Sequence, residues 1–256
     1  MHLNILSDQE VLRYNRQISL NQFDFEGQEA LKQSKVLIVG LGGLGCSAAQ
    51  YLTASGVGTL TLVDDDSVEL SNLHRQVLHT DEDIGKLKVI SAKQTLQQLN
   101  PHAHFAVIKR RLNDEELLAL IKEHALVLDA SDNLNTRNQL NRLCFNLKKT
   151  LISGAAIRME GQVLVFDYTD SDTPCYQCFS SLFSSQELTC VESGVMPPLV
   201  GIVGATQAMQ AIKVLTNFGS TKKGVILMLD AMTMAWREMK LTKRPSCSVC
   251  GSVDEG

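Results

Sequence analysis

Short apolar runs closed by glycine or aspartate alternate along the first part of the chain with longer stretches whose apolar positions recur every three to four residues. The first pattern suits a strand buried on both faces, the second an amphipathic helix. Lys35 to Gly40 (KVLIVG) predicts a buried parallel strand, and Leu44 to Ser55 a helix stopped by Gly56. Thr59 to Val63 predicts a second strand ending at Asp64. The alternation continues with a helix over Lys86 to Leu99, a strand over Phe105 to Ile108 and a helix over Asp114 to Glu123. A strand over Ala125 to Leu128, a helix over Asn133 to Asn146 and a strand over Thr150 to Ser153 follow. Repeated strand–helix units of this length imply an α/β fold, a doubly wound, Rossmann-like and mostly parallel sheet.

The rhythm changes after Gly154. Gln162 to Phe166 and Val225 to Asp230 predict strands with no full crossover helix beside them, hence an antiparallel C-terminal extension of the sheet. Val200 to Phe218 has helical spacing, with a frayed start expected from Pro197-Pro198 and Gly201. The connection from Asp167 to Pro198 is long and rich in Ser, Thr and Asp, as functional or mobile segments are.

With 256 residues and 44% hydrophobic content, the chain is large enough for one sizeable core. A formal charge of -4 disfavours a nucleic-acid binder. No apolar run is read as reaching the ~18 residues of a membrane span, and Met1 to Glu10 has no leader pattern. Seven cysteines without a disulfide-like arrangement suit a reducing setting, so a cytoplasmic location is expected.

Chemistry concentrates in two places. Gly40-Leu41-Gly42-Gly43-Leu44-Gly45 lies between a predicted strand and helix, where glycines permit a tight turn and close approach to phosphates. Asp64 stands at the next strand end, ~20 residues on, where a carboxylate can accept ribose hydroxyls. These features alone fit a dinucleotide or ATP equally. Asn72, Arg75, Lys88, Asp129 and Asp132 should converge outside the strand ends. Cations for phosphate charge and a carboxylate for Mg2+ suit nucleotidyl transfer, whereas hydride transfer needs neither. The bland alternatives are a solvated surface for Arg75 and Lys88 and a helix cap for Asp132. Asp65 is expected to point away from the site, on strand alternation.

The second place is a pair of Cys-x-x-Cys motifs, Cys175/Cys178 and Cys247/Cys250. Four thiolates would close a tetrahedral structural zinc site. Redox chemistry is the rival, disfavoured because neither pair is expected to open a helix in a thioredoxin-like context. Cys46 and Cys144 read as packing residues, and no histidine pair has metal-ligand spacing.

Arg13-Tyr14-Asn15-Arg16-Gln17, the glycine loop, Asp64-x-Asp66, Ser71-Asn72-Leu73-x-Arg75-Gln76, Asp132-Asn133 and the two cysteine pairs occur in an order that resembles the MoeB/ThiF family, bacterial relatives of ubiquitin-activating enzymes. Ser153 to Gln162 and Ala231-Met232-Thr233 resemble in particular its molybdopterin-synthase branch. The resemblance implies a single adenylyltransferase domain over 1–256, with a helical arm (1–30), a nucleotide-binding half (31–154) and a carrier-binding half with the zinc site (155–251). It implies ATP-dependent adenylation of the C-terminal glycine of a small ubiquitin-like sulfur carrier ending in Gly-Gly, with release of pyrophosphate. Gly40, Gly42, Gly43, Gly45, Asp64, Asp66, Asn72, Arg75, Lys88 and Asp132 would bind the nucleotide and its Mg2+. Arg16, Arg75, Lys88 and Asp132 would be catalytic, Arg16 reaching across a homodimer. Cys190 matches a cysteine that joins the carrier through sulfur in thiamine-pathway relatives, a role not expected in the molybdopterin branch. No fused sulfur-donor domain is read after the last cysteines, so a separate donor is expected. Other readings are activation of the thiamine-pathway carrier, a nicotinamide-dependent oxidoreductase and a non-catalytic nucleotide-fold module.

Overall fold

The structure is a computed structural model that describes residues 5–170, 172–182 and 194–251. Two helices, α1 (Asp8–Ile18) and α2 (Asp24–Gln33), precede an eight-stranded sheet. The strands are β1 (Lys35–Val39), β2 (Thr59–Val63), β3 (His104–Ile108), β4 (Leu126–Asp129), β5 (Thr150–Ile157), β6 (Glu160–Phe166), β7 (Val225–Asp230) and β8 (Ala235–Lys240). Their order is β3-β2-β1-β4-β5-β6-β7-β8, with β3 to β5 parallel and the last three antiparallel.

The apolar runs are continuous because both sheet faces are covered. Val36 and Ile38 of β1 enter one core, Leu37 and Val39 the other. The first core packs against α3 (Gly43–Ala54), α4 (Lys88–Leu99) and α8 (Pro197–Thr216). The second packs against α5 (Asp114–Glu123), α6 (Leu134–Asn146) and the short α7 (Tyr176–Ser180). Sequence sets the helix starts locally. Asn113 caps α5 by accepting from the Glu116 N–H at 3.0 Å, and the Glu116 carboxylate accepts the Asn113 N–H in return.

Three differences from the predicted elements have physical causes. β5 runs on to Ile157 because the small residues Gly154, Ala155 and Ala156 pair with β6 before the chain turns. β8 was not anticipated: as an edge strand reading AWREMK it carries no apolar run. α8 starts cleanly at Pro197, because proline in the first turn gives up only an N–H that lacks a helical partner anyway.

α8 also corrects the expectation about membrane spans. It has 20 residues with Lys213 its one charge, long and apolar enough to cross a bilayer by length and composition. Its apolarity has a use inside the fold, since Leu199, Val200 and Val203 are buried against α3 and the sheet. Gly204 permits that approach: a Cβ there would sit 2.3 Å from the Leu44 carbonyl oxygen. Gly204→Ala should therefore cost about 1–3 kcal/mol through overpacking, read as a lowered urea midpoint. An unchanged midpoint would contradict this packing.

Candidate active site

A cleft of about 1030 Å³ opens at the carboxyl ends of β1, β2 and β4. Its floor is the turn between β1 and α3. Gly40 has φ +93°, open to glycine at little cost, and a Cβ at Gly45 would lie 2.0 Å from the Gly40 carbonyl oxygen. Gly42 faces open space and caps α3 without any side-chain acceptor. The first N–H groups of α3 therefore point into the cleft, with the helix dipole favouring an anion there.

Asp64 ties the turn together. One of its oxygens accepts the Leu41 N–H at 2.6 Å and the other the Asp66 N–H at 2.9 Å. Burial pushes its pKa up, partly opposed by those N–H groups and by Lys88. On the far side of Leu41, its carbonyl accepts the Cys46 thiol at 3.3 Å. Burial raises the Cys46 thiol to about 12, so it stays protonated and packs, as expected. Cys144 is likewise buried.

The cations prove to be fixed. Lys88 is 6% exposed, and its ammonium sits 2.7 Å from Asp66, whose side chain is largely solvated. Arg75 donates to the Ser71 carbonyl at 2.9 Å and to Asn72 Oδ1 at 3.1 Å. Asn72, itself buried, also accepts from Gln76 Nε2 at 3.0 Å. Both cations line the cleft with Asn72; burial excludes the solvated-surface alternative for Lys88, while Arg75 is half-exposed. Asp132 is exposed at the cleft beyond β4, and the cap of α6 is Asn133, which accepts from the Thr136 N–H at 2.9 Å. Asp132 is therefore free of capping duty.

Two expectations need correction. Asp129 does not reach the cleft. It is fully buried and accepts from Ser131 Oγ at 2.6 Å and Ser153 Oγ at 2.8 Å, stitching β4 to β5. Asp65 does not point away: it lines the cleft and pairs with Arg111 at 3.1 Å. Strand alternation fails for it because β2 ends at Val63.

Arg137 was missed. It lies in the first turn of α6, lines the cleft and donates to the Ser131 carbonyl at 2.7 Å and the Gly154 carbonyl at 3.3 Å. Burial opposes its charge, but Asp129 and Tyr176 outweigh burial and hold its pKa above the ordinary value. The available signal was a lone arginine four residues after a helix cap at a strand end. Arg16 is also not brought in by the chain: it is exposed on α1, outside the cleft lining. Arg13 beside it donates to the Leu99 carbonyl at 3.2 Å. Cys190 lies outside the described residues.

The four cysteines meet as expected. Cys175, Cys178, Cys247 and Cys250 are buried free thiols whose sulfur atoms all lie within 4.8 Å of one another. Cys175 Sγ lies 3.6 Å from Cys247 Sγ and Cys178 Sγ 3.4 Å from Cys250 Sγ. The Arg244 N–H donates to Cys178 Sγ at 3.4 Å, as backbone amides do to metal-bound thiolates. Burial raises the Cys247 thiol, yet the N–H groups of Cys250 and Val249 prevail and bring it down to about 7. Cys175 does open a helix, but α7 is only five residues long and its thiols meet those of Cys247 and Cys250. The clustering of both pairs, rather than helix context, is what favours a closed metal site over a redox pair.

The model of the family described as ThiF family matches residues 14–249. The chain belongs to the ThiF family. It is 60% identical over 246 residues to the molybdopterin-synthase adenylyltransferase of Escherichia coli strain K12, covering 96% of this chain and 98% of that protein. It is 43% identical over 250 residues to the adenylyltransferase and sulfurtransferase MOCS3 of Drosophila persimilis, covering 96% of this chain and 55% of that protein. The crystal structure of E. coli MccB with ATP superimposes with a TM-score of 0.82 at 24% identity, over 97% of this chain and 76% of that one. That last likeness speaks to the fold alone.

Four buried thiols so placed could hold a metal ion, and an all-thiolate set is of the kind that suits zinc. The purified protein should carry a single zinc per chain by atomic emission. Cys247→Ala should lose it and lower the thermal midpoint by on the order of 10 °C. Full metal retention in that variant would rule the site out.

Proposed function

We propose that this chain uses ATP to adenylate the C-terminal glycine of a small ubiquitin-like sulfur carrier, of the kind that serves as the small subunit of molybdopterin synthase. One observation carries the reading: a phosphate-accepting glycine turn, two fixed cations and an uncommitted carboxylate share a single cleft at the strand ends. The 60% identity to a molybdopterin-synthase adenylyltransferase supports this acceptor over the thiamine-pathway carrier. Hydride transfer would leave Arg75, Lys88 and Asp132 without a task.

In this reading the N–H groups at the start of α3, with Asn72, Arg75 and Lys88, hold the triphosphate. Lys88 exchanges its exposed partner Asp66 for phosphate oxygen, so its charge is never left buried and unpaired. Asp64 keeps lone pairs for the ribose hydroxyls, since each carboxylate oxygen accepts more than the one backbone N–H it already has. The carrier's terminal carboxylate, already charged at neutral pH, attacks the α-phosphorus. A new P–O bond forms, the bond to the bridging oxygen breaks, and pyrophosphate leaves with the electron pair. No protein nucleophile is required; the enzyme positions the reactants and offsets charge. Asp132 would hold Mg2+, which when bound compensates phosphate charge. The acyl-adenylate is then the substrate for sulfur transfer.

Arg16 completes the site from the second protomer of a homodimer, which accounts for its exposure here. ATP–pyrophosphate exchange should depend on a carrier ending in Gly-Gly and fall at least ~100-fold in Asp132→Ala. Arg16→Ala should also be weak. Mixed dimers of the two variants hold one intact composite site, so an equal mixture should recover about a quarter of the parent rate. Exchange without carrier, or no recovery from verified mixed dimers, would contradict the corresponding part.

A further inference from the structure

We infer that Arg111, held in place by Asp65, forms the wall of the cleft that covers the purine base and contributes to base recognition. The inference rests on the cleft being a nucleotide site and extends that reading to a residue not yet given a part.

The strand order fixes a direction. The glycine turn follows β1, Asp64 follows β2 beside it, and the segment Lys109-Arg110-Arg111 follows β3 at the sheet's edge. β2 and β3 run in register to their ends, Val63 opposite Ile108, and the Asp64 N–H bonds the Ile108 carbonyl at 3.2 Å. A nucleotide with its phosphates on the α3 N-terminus and its ribose on Asp64 therefore extends its base towards the β3 end. There the cleft offers Leu112 and Leu117 as apolar surface and Arg111 as a planar cation. A flat, polarisable base suits that combination, since a guanidinium stacks on an aromatic face with its whole plane, whereas an ammonium offers only a point charge.

The two arginines at this end are not equivalent. Arg110 is engaged twice by Glu116, at 2.7 and 2.8 Å. Arg111 is held only through Nε by Asp65, at 3.1 Å, and its side chain is 76% exposed. An exposed pair of this kind adds little to stability. What it does is tether the guanidinium at the rim of the cleft while most of the side chain stays solvent-exposed. Asp65, which adds negative charge beside the phosphate site, has its cost offset by the same contact.

The test is direct binding by calorimetry to the full-length parent, Arg111→Ala and Arg111→Lys, with ATP and with inorganic tripolyphosphate, which has the charge but no base. Arg111→Ala should weaken ATP about twofold to fivefold, the scale of an exposed cation–π contact. Tripolyphosphate binding should stay unchanged. Arg111→Lys, which keeps the charge and loses the stacking plane, should recover only part of the loss. Unchanged ATP affinity in Arg111→Ala, equal losses for both ligands, or full rescue by lysine would each overturn the inference. Exchange activity of the parent reports separately on the reaction: an Arg111-dependent ATP affinity without exchange would remove adenylation and leave the base wall standing. A parent that binds no ATP would remove both.

Discussion

The cleft depends on one close approach of backbone to backbone. At Gly45 the first turn of α3 presses against the Gly40 carbonyl so tightly that any Cβ would collide with it. That contact lets the chain leave β1, reverse through a positive-φ glycine and begin a helix with its N–H groups bare. Asp64 and Cys46 then brace Leu41 from its two sides, the carboxylate on the N–H and the thiol on the carbonyl. The next strand end and the new helix are thus locked to the same residue. A larger residue in the turn would shift both, and with them the surface on which a triphosphate would rest.

Around this turn the cations Lys88, Arg75 and Arg111 each have a partner that a ligand could replace or use. The buried Lys88 rests on the solvated Asp66, Arg75 on the buried Asn72, and Arg111 on Asp65. The pairing spares the empty cleft the penalty of unpaired cations in a partly desolvated space. It also holds the side chains in place, so little ordering entropy remains when an anion arrives. Asp129, buried beneath the cleft, and Arg137, in its wall, offset each other's charge and fasten the ends of β4 and β5.

Most of the frame was legible in the sequence, for a specific reason. Strands buried on both faces must be continuously apolar, so β1 and β2 stand out to within a residue, and β7 is legible from its apolar run although only part of it is buried. α5 was legible at both ends because its capping box is local chemistry. β8 was not, because an edge strand has no need of apolar residues. The glycine turn, Asn72, Arg75, Lys88 and Asp132 were legible as types at strand ends, but side-chain direction beyond a strand end was not. That is why Asp129, turned inward, and Asp65, turned to the rim, were both misplaced. Arg137 escaped notice because two carbonyls from separate strand ends, Ser131 and Gly154, give it its role only once the sheet is assembled. The thiols were legible as two pairs, yet the matching of Cys175 with Cys247 across 72 residues is a property of the fold.

The fold, the family and the cleft converge on a carboxylate attacking the α-phosphate of ATP. Intact-mass spectrometry of a Gly-Gly-ended carrier, incubated with this protein, ATP and Mg2+ and quenched rapidly, measures that event directly. The account predicts an adenylyl group on the carrier's C-terminal glycine, converted to a hydroxamate by hydroxylamine. A carrier left unmodified while ATP is bound, or an adenylyl group on any other residue, would contradict it.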